Sequence, residues 1–393
     1  MNRVVHFMRW CLPSTASFIR NQIVYHQRYE PAVVYTQPKP GAFHDELHKR
    51  ASTLYPLHST AEKKFYGFTR RLSPAAIRRV IDFVRQQNPK ALHVHYGVDC
   101  LVYADVIRKL EIPACVSFYG YDCTEFPRRF FGFGKTMLEK GVFQNPFVKA
   151  VLAMSDDMKA DLISAGCPEE KIIVHYYGIE AEQFSIQRRE VKGDVIKFLI
   201  ISGLHPKKGH TYLIEAFAAM SRSIEKKVEL HIVGSGPLYP SLEEAISKTG
   251  LSNIFLHGHV NYGSEKHREY LREADVFVHP SVTSPTGDKE GIPGAVIEAM
   301  ASGLPVITTY HAGIPSVIQD DVHALLVKEK DVVALQMAMT RLANDPVYRV
   351  RIARDGQKHA STNLDVIPKE IELEEIYDLI SINNKSLKTN TIA

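Results

Sequence analysis

The chain has 393 residues, of which 45% are hydrophobic and 23% charged, a composition typical of globular proteins and a length that accommodates two α/β domains. No apolar run approaches the ~18 residues that span a bilayer, and arginines interrupt the first twenty residues, so neither a membrane span nor a secretory leader is expected. The five cysteines form no C-x-x-C pair, which argues against a zinc site or a disulfide framework. We therefore expect a cytoplasmic protein.

Charge is distributed unevenly along the chain. Residues 1–180 carry 24 Lys/Arg against 17 Asp/Glu, whereas residues 181–393 carry 24 against 27. The segment 49–90 holds ten basic residues and two acids, with aromatic residues interleaved, and Arg128 to Phe131 repeats this mixture. A solvated helix face would explain such a segment. The alternative is a surface that meets an anionic membrane or a lipid-linked phosphate at the inner face of the cell membrane. No nucleic-acid-binding motif accompanies the charge, so nucleic acid is not expected.

Short β-branched runs alternate with longer helical patterns, which predicts parallel sheets covered by helices. The pattern indicates two Rossmann-like domains, residues 1–186 and 195–367, joined by a polar linker at 187–194. A helical pattern at 368–383 predicts a terminal helix. The predicted strands lie at 3–8, 32–36, 91–95, 113–118, 150–154, 172–175, 196–201, 228–233, 254–257, 276–279 and 305–308. Because ligands bind at the carboxyl ends of such strands, functional residues are expected just after them.

The segment from Glu290 to Glu298 follows a predicted strand and opens a helix. Pro293 suits the first helical position, and the flanking glycines allow a ligand to approach the backbone closely. A helix that starts here directs free N–H groups toward an anion such as a diphosphate. Carboxylates in the loop and in the second helical turn can accept paired hydrogen bonds from sugar hydroxyls. Two solvated glutamates beside a capped helix are the alternative interpretation.

Two histidines, His93 and His95, alternate with apolar residues in a predicted strand and so share one face. No third metal ligand is evident near them in the sequence, and we expect no metal there. His95, at the strand end, is the candidate for contact with a second substrate, an acceptor, whereas His93 is expected to be packed or at the surface. The chain also contains no Asp-x-Asp pair, the usual carboxylate cluster for a divalent cation that holds a diphosphate. Binding of a diphosphate by this chain is therefore expected to need no metal.

The stretch from Asp275 to Ile318 resembles the donor-binding signature of the family 4 (GT4) retaining glycosyltransferases, which have the GT-B fold. The match consists of two glutamates separated by seven residues, followed by a run like the one at 299–307. Segments 201–209, 232–237 and 255–258 resemble the neighbouring motifs in the same order. The N-terminal Leu12-Pro13-Ser14 and Phe18-Ile19 are similar to the opening of bacterial exopolysaccharide members. The resemblance covers nearly the whole chain.

This resemblance implies two Rossmann-like domains that face each other across a cleft, with the terminal helix returning to the N-terminal domain. By it, Glu290 would bind the donor sugar, Glu298 the ribose and Lys208 the diphosphate, where a cation stabilises the growing charge of the leaving group. Tyr119 and Asp122 would lie beside the reacting sugar. The remaining candidates for the donor site are Gly203, Lys207, Gly234, Gly236, Gly258, Gly291, Ile292, Pro293 and Gly294.

Two positions depart from the family pattern. Gly203 occupies a position that is usually an arginine, so His205 or Lys207 would have to supply the missing charge. Tyr119 occupies the position of the histidine in a His-Gly-x-Asp loop. A tyrosine there can offer a phenolic hydrogen bond but no positive charge. These departures indicate either a subfamily with altered donor contacts or a weakened enzyme.

The function that we expect is transfer of a hexose, with retention, from a nucleoside diphosphate sugar to an acceptor hydroxyl. The acceptor would be a saccharide or a lipid-linked saccharide in the synthesis of a bacterial cell-surface polysaccharide. No cofactor is expected beyond the donor substrate. A nucleotide-sugar 2-epimerase and a non-catalytic subunit of the same fold remain alternatives. A periplasmic sugar-binding protein is disfavoured because no leader is expected.

Overall fold

The structure is a computed structural model that describes residues 1–10, 17–37, 44–186 and 195–389. The Leu12-Pro13-Ser14 motif and the predicted linker at 187–194 lie outside the described residues. The chain divides into two compact units, each described below by itself. The first, unit 1, comprises Met1–Gly178 and Val366–Ala393, and the second, unit 2, comprises Ile179–Asp365.

Unit 1 is built on a parallel sheet with the strand order β3-β2-β1-β4-β5-β6-β7. The strands are β1 Asn2–Trp10, β2 Tyr29–Gln37, β3 Ser52–Leu54, β4 Ala91–His95, β5 Ala114–Ser117, β6 Val148–Ala153 and β7 Ile172–Val174. The helices are α1 Ser17–Val24, α2 His44–Arg50, α3 Thr60–Thr69, α4 Pro74–Gln87, α5 Gly97–Leu110, α6 Tyr121–Thr124, α7 Phe133–Leu138 and α8 Asp156–Ser164. The strands are rich in buried valine, leucine and isoleucine because a parallel sheet is covered on both faces.

Unit 2 repeats this architecture with the strand order β10-β9-β8-β11-β12-β13, again with every pair parallel. The strands are β8 Val195–Ile201, β9 Lys227–Val233, β10 Ile254–His257, β11 Val276–Val278, β12 Val306–Thr309 and β13 Leu325–Val327. The helices are α9 His210–Ser223, α10 Tyr239–Thr249, α11 Glu265–Glu273, α12 Gly294–Ala301, α13 Ile314–Val317, α14 Val332–Asn344 and α15 Pro346–Asn363.

The last helix, α16 (Val366–Thr389), follows unit 2 in the chain but packs on the sheet of unit 1. Leu373 and Tyr377 are fully buried there, in one apolar cluster with Val4, Ala91 and Cys115. Glu374 also holds the start of β2, because it accepts hydrogen bonds from three consecutive backbone N–H groups at residues 27–29. The predicted return of a terminal helix to the N-terminal part of the chain is therefore confirmed.

The fold class predicted from the sequence is confirmed, and each predicted strand has a counterpart in the structure. The sequence pattern missed β3 and β13. Both strands have three residues and lie at the edge of their sheet, where so short a run gives only a weak periodic signal, although the equally short β7 and β11 were predicted. Among the described helices, none combines the length and the apolar character needed to cross a membrane.

Candidate functional site

The predicted donor-site residues of unit 2 lie in loops at one edge of its sheet. Because all six strands are parallel, the loops that follow β8, β9, β10 and β11 leave the sheet on the same side. Lys208 follows β8, Gly234 follows β9, Gly258 follows β10 and Glu290 follows β11. The loops after β9 and β10 also touch, since the Gly234 N–H donates a hydrogen bond to the Gly258 carbonyl oxygen at 3.1 Å.

The central contact of this edge is an ion pair between the Lys208 ammonium and the Glu290 carboxylate. The second carboxylate oxygen, Oε1 of Glu290, accepts a hydrogen bond from the Ser281 hydroxyl at 3.1 Å. The backbone N–H of Glu290 donates to Nε2 of His311 at 3.2 Å. Both carboxylate oxygens and the backbone of Glu290 are thus fixed by neighbouring loops, so the side chain has a defined orientation.

The electrostatic environment keeps Glu290 ionised. Burial by itself would raise the pKa of its carboxyl, but the charges of Lys208, His279 and Lys207 and the Lys208 hydrogen bond together outweigh burial and lower the pKa to about 2. A buried anion beside a partly exposed cation can exchange that cation for another donor, such as a sugar hydroxyl, without a change of protonation state. The pair therefore suits a site at which a polar ligand inserts between two charges.

Four residues that were not predicted from the sequence support this pair. The Ser281 hydroxyl bonds Nδ1 of His279 at 2.9 Å, and Nδ1 of His311 lies 2.6 Å from a carboxylate oxygen of Glu329. His279 and Ser281 follow β11 directly, and His311 follows β12. Polar residues that follow two neighbouring strands were the signal available in the sequence, but the resemblance drew attention to the glutamates instead.

A second ion pair lies beside the first. Nζ of Lys207 is 2.9 Å from a carboxylate oxygen of Asp288, and both side chains are partly exposed. Lys207 and Lys208 belong to one 3₁₀ turn, Pro206–Lys208, so this short segment carries two cationic side chains. Gly209 must end this turn without a side chain, because its φ is +70° and a Cβ there would lie 1.9 Å from the Pro280 carbonyl oxygen.

Glu298 lies in the second turn of α12, as the sequence predicted. Its carboxylate accepts a hydrogen bond from the Tyr262 hydroxyl at 3.0 Å, and a Cβ added to Gly294 would be 3.5 Å from Oε1. Burial raises the pKa of Glu298 to about 7, although the Tyr262 hydrogen bond opposes this increase. Glu290 and Glu298 thus have opposite electrostatic environments, one ionised throughout the neutral range and one near its titration midpoint.

The segment between the two glutamates packs closely within unit 2. Ile292 is buried, and Gly291 accepts a hydrogen bond at its carbonyl oxygen from the Gly313 N–H at 3.1 Å. The prediction that Pro293 occupies the first helical position is wrong by one residue. Its φ of −67° and ψ of 119° make it the extended residue that precedes the helix, and α12 begins at Gly294.

Glycines allow the β8 and β9 loops to approach each other. Gly234 has a φ of +150°, and a Cβ there would lie 1.9 Å from the Ser202 carbonyl oxygen. A Cβ at Gly236 would lie 2.6 Å from the Leu204 carbonyl oxygen. Gly203 differs, because it has no left-handed φ and the one close contact of an added Cβ would be the His205 ring, at 3.1 Å. The structure therefore requires glycine at 234 and 236 but not at 203.

In unit 1, the loop after β5 places Tyr119 and Asp122 together. Oδ1 of Asp122 accepts hydrogen bonds from the backbone N–H groups of Tyr119 and Gly120, and Oδ2 accepts from the Gly97 N–H. Burial raises the pKa of Asp122 to about 6, against the effect of these bonds. Asp122 is fully buried, so its contacts position the Tyr119 loop and the start of α5.

Three buried histidine side chains form a hydrogen-bonded chain behind Tyr119. The Tyr119 hydroxyl is 2.8 Å from Nδ1 of His95, whose Nε2 is 3.0 Å from Nδ1 of His6. Nε2 of His6 is in turn 3.0 Å from Nε2 of His26. Nδ1 of His26 lies 3.2 Å from the buried carboxylate of Glu370 on α16. His95 is thus fully buried and can reach a ligand only through Tyr119.

His93 joins the same cluster through Tyr377 and Ser117, with hydrogen bonds of 2.7 and 2.8 Å. No third metal ligand near His93 and His95 is evident in the sequence, but the fold brings a third imidazole to them. His6, 87 residues before His93, pairs with it in the register of β1 and β4. Ligand atoms of the three histidines lie within 4.8 Å of one another, close enough to hold a metal ion. Their nitrogens, however, are already engaged in the hydrogen bonds described here.

Comparison with solved structures defines the class of fold. Over 96% of this chain, the structure is similar to HepE of Anabaena in complex with UDP-glucose, with a TM-score of 0.75 and 18% identity over 100% of that chain. It is also similar to WaaG, a glycosyltransferase involved in lipopolysaccharide biosynthesis, with a TM-score of 0.65, 16% identity and 96% and 99% coverage. At this identity the likeness establishes the fold alone, which is GT-B.

Two family models match consecutive parts of the chain. The model described as Glycosyltransferase Family 4 matches residues 25–183, and the model described as Glycosyl transferases group 1 matches residues 196–345. Two glycosyltransferase models thus match the chain, one on each side of its middle, and the fold is GT-B. The resemblance inferred from the sequence motifs is confirmed.

Two relatives of this chain are described as biosynthetic glycosyltransferases. The chain is 39% identical over 221 residues to the amylovoran biosynthesis glycosyltransferase AmsK of Erwinia amylovora, covering 56% of this chain and 54% of AmsK. It is 34% identical over 225 residues to the putative colanic acid biosynthesis glycosyltransferase WcaL of Escherichia coli, covering 56% of this chain and 55% of WcaL. The matched region thus spans about half the length of these relatives.

Proposed function

We propose that the protein transfers a hexose from a nucleoside diphosphate sugar to an acceptor hydroxyl, with retention, in the synthesis of a cell-surface polysaccharide. The observation that carries this proposal is the partly buried Lys208–Glu290 ion pair at the carboxyl edge of the unit 2 sheet. The two matching glycosyltransferase models and the names of the exopolysaccharide relatives support it. The donor-binding domain is then the C-terminal one, 195–367, and the acceptor-binding domain 1–186 with the terminal helix 368–383.

In this proposal, the ammonium of Lys208 leaves Glu290 to stabilise the diphosphate of the donor, where charge develops as the sugar departs. Glu290, relieved of its cation, accepts hydrogen bonds from the donor sugar. Glu298 accepts from the ribose hydroxyls, and its position one turn inside α12 keeps it beside Gly294. The N–H groups at the start of α12 and the side chain of Lys207 add positive potential for the same diphosphate. No metal takes part in this scheme.

The acceptor that we propose is a saccharide or a lipid-linked saccharide, bound on unit 1. Tyr119 lies at the carboxyl edge of the unit 1 sheet, and the hydrogen-bonded chain of His95, His6 and His26 fixes its hydroxyl. The basic segment 49–90 supplies a cationic surface. Its Arg78 and Arg85, together with Lys109 of α5, line a groove of about 660 Å³ whose other walls include Ile77, Ile81 and one carboxylate, Asp82. Cations beside an apolar wall suit an anionic lipid carrier, at the inner face of the cell membrane.

A panel of nucleotides and nucleotide sugars in a thermal-shift experiment tests donor binding. A ligand that binds only the folded state raises its stability by RT ln(1 + [L]/Kd), so the matching donor should give the largest increase in melting temperature. Transfer is then measured with that donor and a saccharide acceptor. We expect Lys208→Met and Glu290→Gln each to lower kcat/KM by about 10²- to 10³-fold. The neighbouring Lys207→Met is the matched control and should lower it less.

The results also separate the alternatives. If no nucleoside diphosphate or its sugar shifts the melting temperature, the proposed donor site is wrong. A nucleotide sugar that is converted without any acceptor, seen by NMR, would identify an isomerase of the same fold. Nucleotide binding without transfer or hydrolysis would identify a non-catalytic subunit, an alternative that the absence of an arginine at Gly203 specifically favours.

A further inference from the structure

Unit 1 carries an exposed aromatic loop that the proposed reaction does not use. This loop, residues 126–134, runs from the 3₁₀ turn Phe126–Arg128 into the start of α7. Phe131 is fully exposed, and Phe130 and Phe133 expose 60% and 67% of their surface. Scattered apolar residues are common on protein surfaces, but three phenylalanines within four positions form a contiguous apolar patch, which usually marks an interaction site.

The loop is ordered by its own backbone rather than by its aromatic rings. The Gly132 and Gly134 N–H groups both donate to the Arg129 carbonyl oxygen, at 3.1 and 3.2 Å, and the Phe133 N–H donates to the Phe130 carbonyl oxygen at 3.1 Å. Gly134 packs so closely that a Cβ there would lie 1.9 Å from the Phe126 carbonyl oxygen. The exposed rings are therefore presented by a defined scaffold.

Two consecutive phenylalanines of this scaffold adopt a conformation that bulky residues avoid. Phe130 and Phe131 have φ values of +54° and +56°, in the left-handed region. Such a conformation costs free energy for a residue with a Cβ, and strained residues of this kind cluster at functional sites. The Phe130 ring contacts Phe126 edge-on at 6.4 Å, but among the described residues no aromatic ring pairs with Phe131 or Phe133. The Phe131 side chain is fully exposed, so no packing of its ring within the described chain offsets the cost of this conformation.

The charges of the loop indicate the kind of partner. The thirteen residues from Phe126 to Leu138 include three cations and no acid. Among the described residues, the exposed side chain of Arg128 makes no hydrogen bond or ion pair, whereas that of Arg129 contacts the Tyr121 hydroxyl. The partner must therefore accept three aromatic rings and be anionic at its surface. A second copy of the chain would oppose like charges across the same loop.

We infer that the aromatic loop inserts into the interfacial region of an anionic lipid bilayer. Phe131 and Phe133 enter the boundary between headgroups and acyl chains, and Arg128 remains at the level of the headgroup phosphates, in the manner of interfacial segments that combine apolar burial with electrostatic attraction. This contact would hold unit 1 at the surface where a lipid-linked acceptor is found. Membrane binding needs no donor, so it can be tested separately from the proposed transfer reaction.

Flotation of the full chain with vesicles tests the inference. The vesicles contain phosphatidylcholine alone or with 30% phosphatidylglycerol, at low salt and at 0.5 M salt. We expect binding to the anionic vesicles and at least a tenfold lower partition coefficient for the Phe130→Ser/Phe131→Ser/Phe133→Ser variant. Val347→Ser/Val350→Ser is the matched control, since both valines are exposed apolar residues of unit 2, and it should bind like the wild type. Circular dichroism melts verify that each variant folds.

A second measurement reports insertion directly. The chain has one tryptophan, so Phe131→Trp adds a single new fluorophore whose emission should shift to shorter wavelength when anionic vesicles are added. Val347→Trp should show no such shift. Arg128→Gln should lower the partition coefficient severalfold at low salt and little at 0.5 M salt, where the attraction is screened.

Three outcomes would overturn the inference. The first is a wild-type chain that does not float with anionic vesicles, and the second is a triple serine variant that binds as well as the wild type. The third is a concentration-dependent dimer, seen by light scattering, that the triple variant abolishes, because the loop would then be an interface between two copies of the chain. Each outcome leaves nucleotide binding by unit 2 untouched, so it is distinguishable from a failure of the proposed transfer function.

Discussion

The ammonium of Lys208 pairs with the carboxylate of Glu290 across two neighbouring loops of unit 2, although the residues lie 82 positions apart in the chain. Lys208 follows β8 and Glu290 follows β11, and these strands are adjacent in the sheet. The pair therefore links the two loops in the structure. In the proposed function, the same two side chains separate to hold the donor diphosphate and the donor sugar.

The contribution of this pair to stability can be measured. Lys208→Met leaves the Glu290 carboxylate buried without its cation, so we expect the free energy of unfolding in urea at pH 7 to fall by roughly 3 kcal/mol. Lys208→Met/Glu290→Gln removes the uncompensated charge and should recover most of that loss. Lys207→Met, whose partner Asp288 is more exposed, should cost at most about 1 kcal/mol. Equal losses for Lys208→Met and Lys207→Met would contradict this picture.

The pair also has a defined dependence on pH. The pKa of Glu290 in the folded chain is depressed, to about 2, relative to an unfolded value near 4.5. Its stabilising contribution is therefore complete above pH 4.5 and disappears as the pH falls toward 2. Urea unfolding at pH 5 and at pH 3 should show the difference between wild type and Glu290→Gln shrinking at the lower pH.

Glu298 should make nucleotide affinity depend on pH in the neutral range. Its pKa of about 7 means that a proton must leave before the carboxylate can accept both ribose hydroxyls. The affinity should thus fall up to tenfold for each pH unit below 7 and reach a plateau above it. The free energy of unfolding of the unliganded protein should show the opposite trend with pH. A carboxyl whose pKa is raised in the folded state contributes stability at low pH, and this contribution is lost as the pH rises through 7.

Isothermal titration of the matching nucleoside diphosphate at pH 6 and pH 8 measures this effect. The terminal phosphate of the ligand titrates in the same range, so Glu298→Gln serves as the control that retains the titration of the ligand alone. The prediction is that the wild type shows a steeper change in affinity than Glu298→Gln. Parallel changes in the two proteins would show that Glu298 does not bind the nucleotide through its charge.

Gly203→Arg should strengthen diphosphate binding. The backbone at 203 is not left-handed, and the one close contact of an added Cβ is the His205 ring, which can shift by the few tenths of an ångström required. A charge-assisted hydrogen bond from the new guanidinium to a phosphate should raise the affinity roughly tenfold or more. Gly203→Met provides a long side chain without charge. Equal affinities for the arginine and methionine variants would show that position 203 does not face the diphosphate.

The buried histidines of unit 1 should make the chain sensitive to mild acid. Burial lowers the pKa of His95 to about 3 and the pKa values of His6 and His93 well below their ordinary value. Below pH 6.5 the unfolded chain binds protons that the folded chain does not, so stability should fall by about 1.4 kcal/mol per pH unit for each such histidine.

Urea unfolding of the wild type between pH 7 and pH 5 measures this slope. His6→Asn should reduce it by the share of one histidine, compared with its own stability at pH 7. His58→Asn, at an exposed position, should leave the slope unchanged. A wild-type stability that is flat between pH 7 and pH 5 would mean that the imidazoles of the cluster are accessible to protons in the folded state.

Much of the fold followed from local patterns. Apolar β-branched runs such as 91–95 and 254–257 predicted strands whose bounds the structure reproduces without change. Such runs are visible because parallel strands are buried on both faces. The edge strands Ser52–Leu54 and Leu325–Val327 were not predicted, because three residues carry only a weak periodic signal. Pro293 was placed one residue too far into its helix, since composition does not resolve a helix boundary to a single position.

Within the candidate site, the sequence by itself determined which residues follow strands, and therefore that Lys208, Glu290 and Glu298 belong to the carboxyl edge of one sheet. That much depends only on the alternation of strands and helices, which is a local property of the chain. The tertiary structure alone decided which of these side chains touch. Contacts such as Lys208 with Glu290, or His6 with His95, depend on strand order and register, which bring together residues that no local pattern relates.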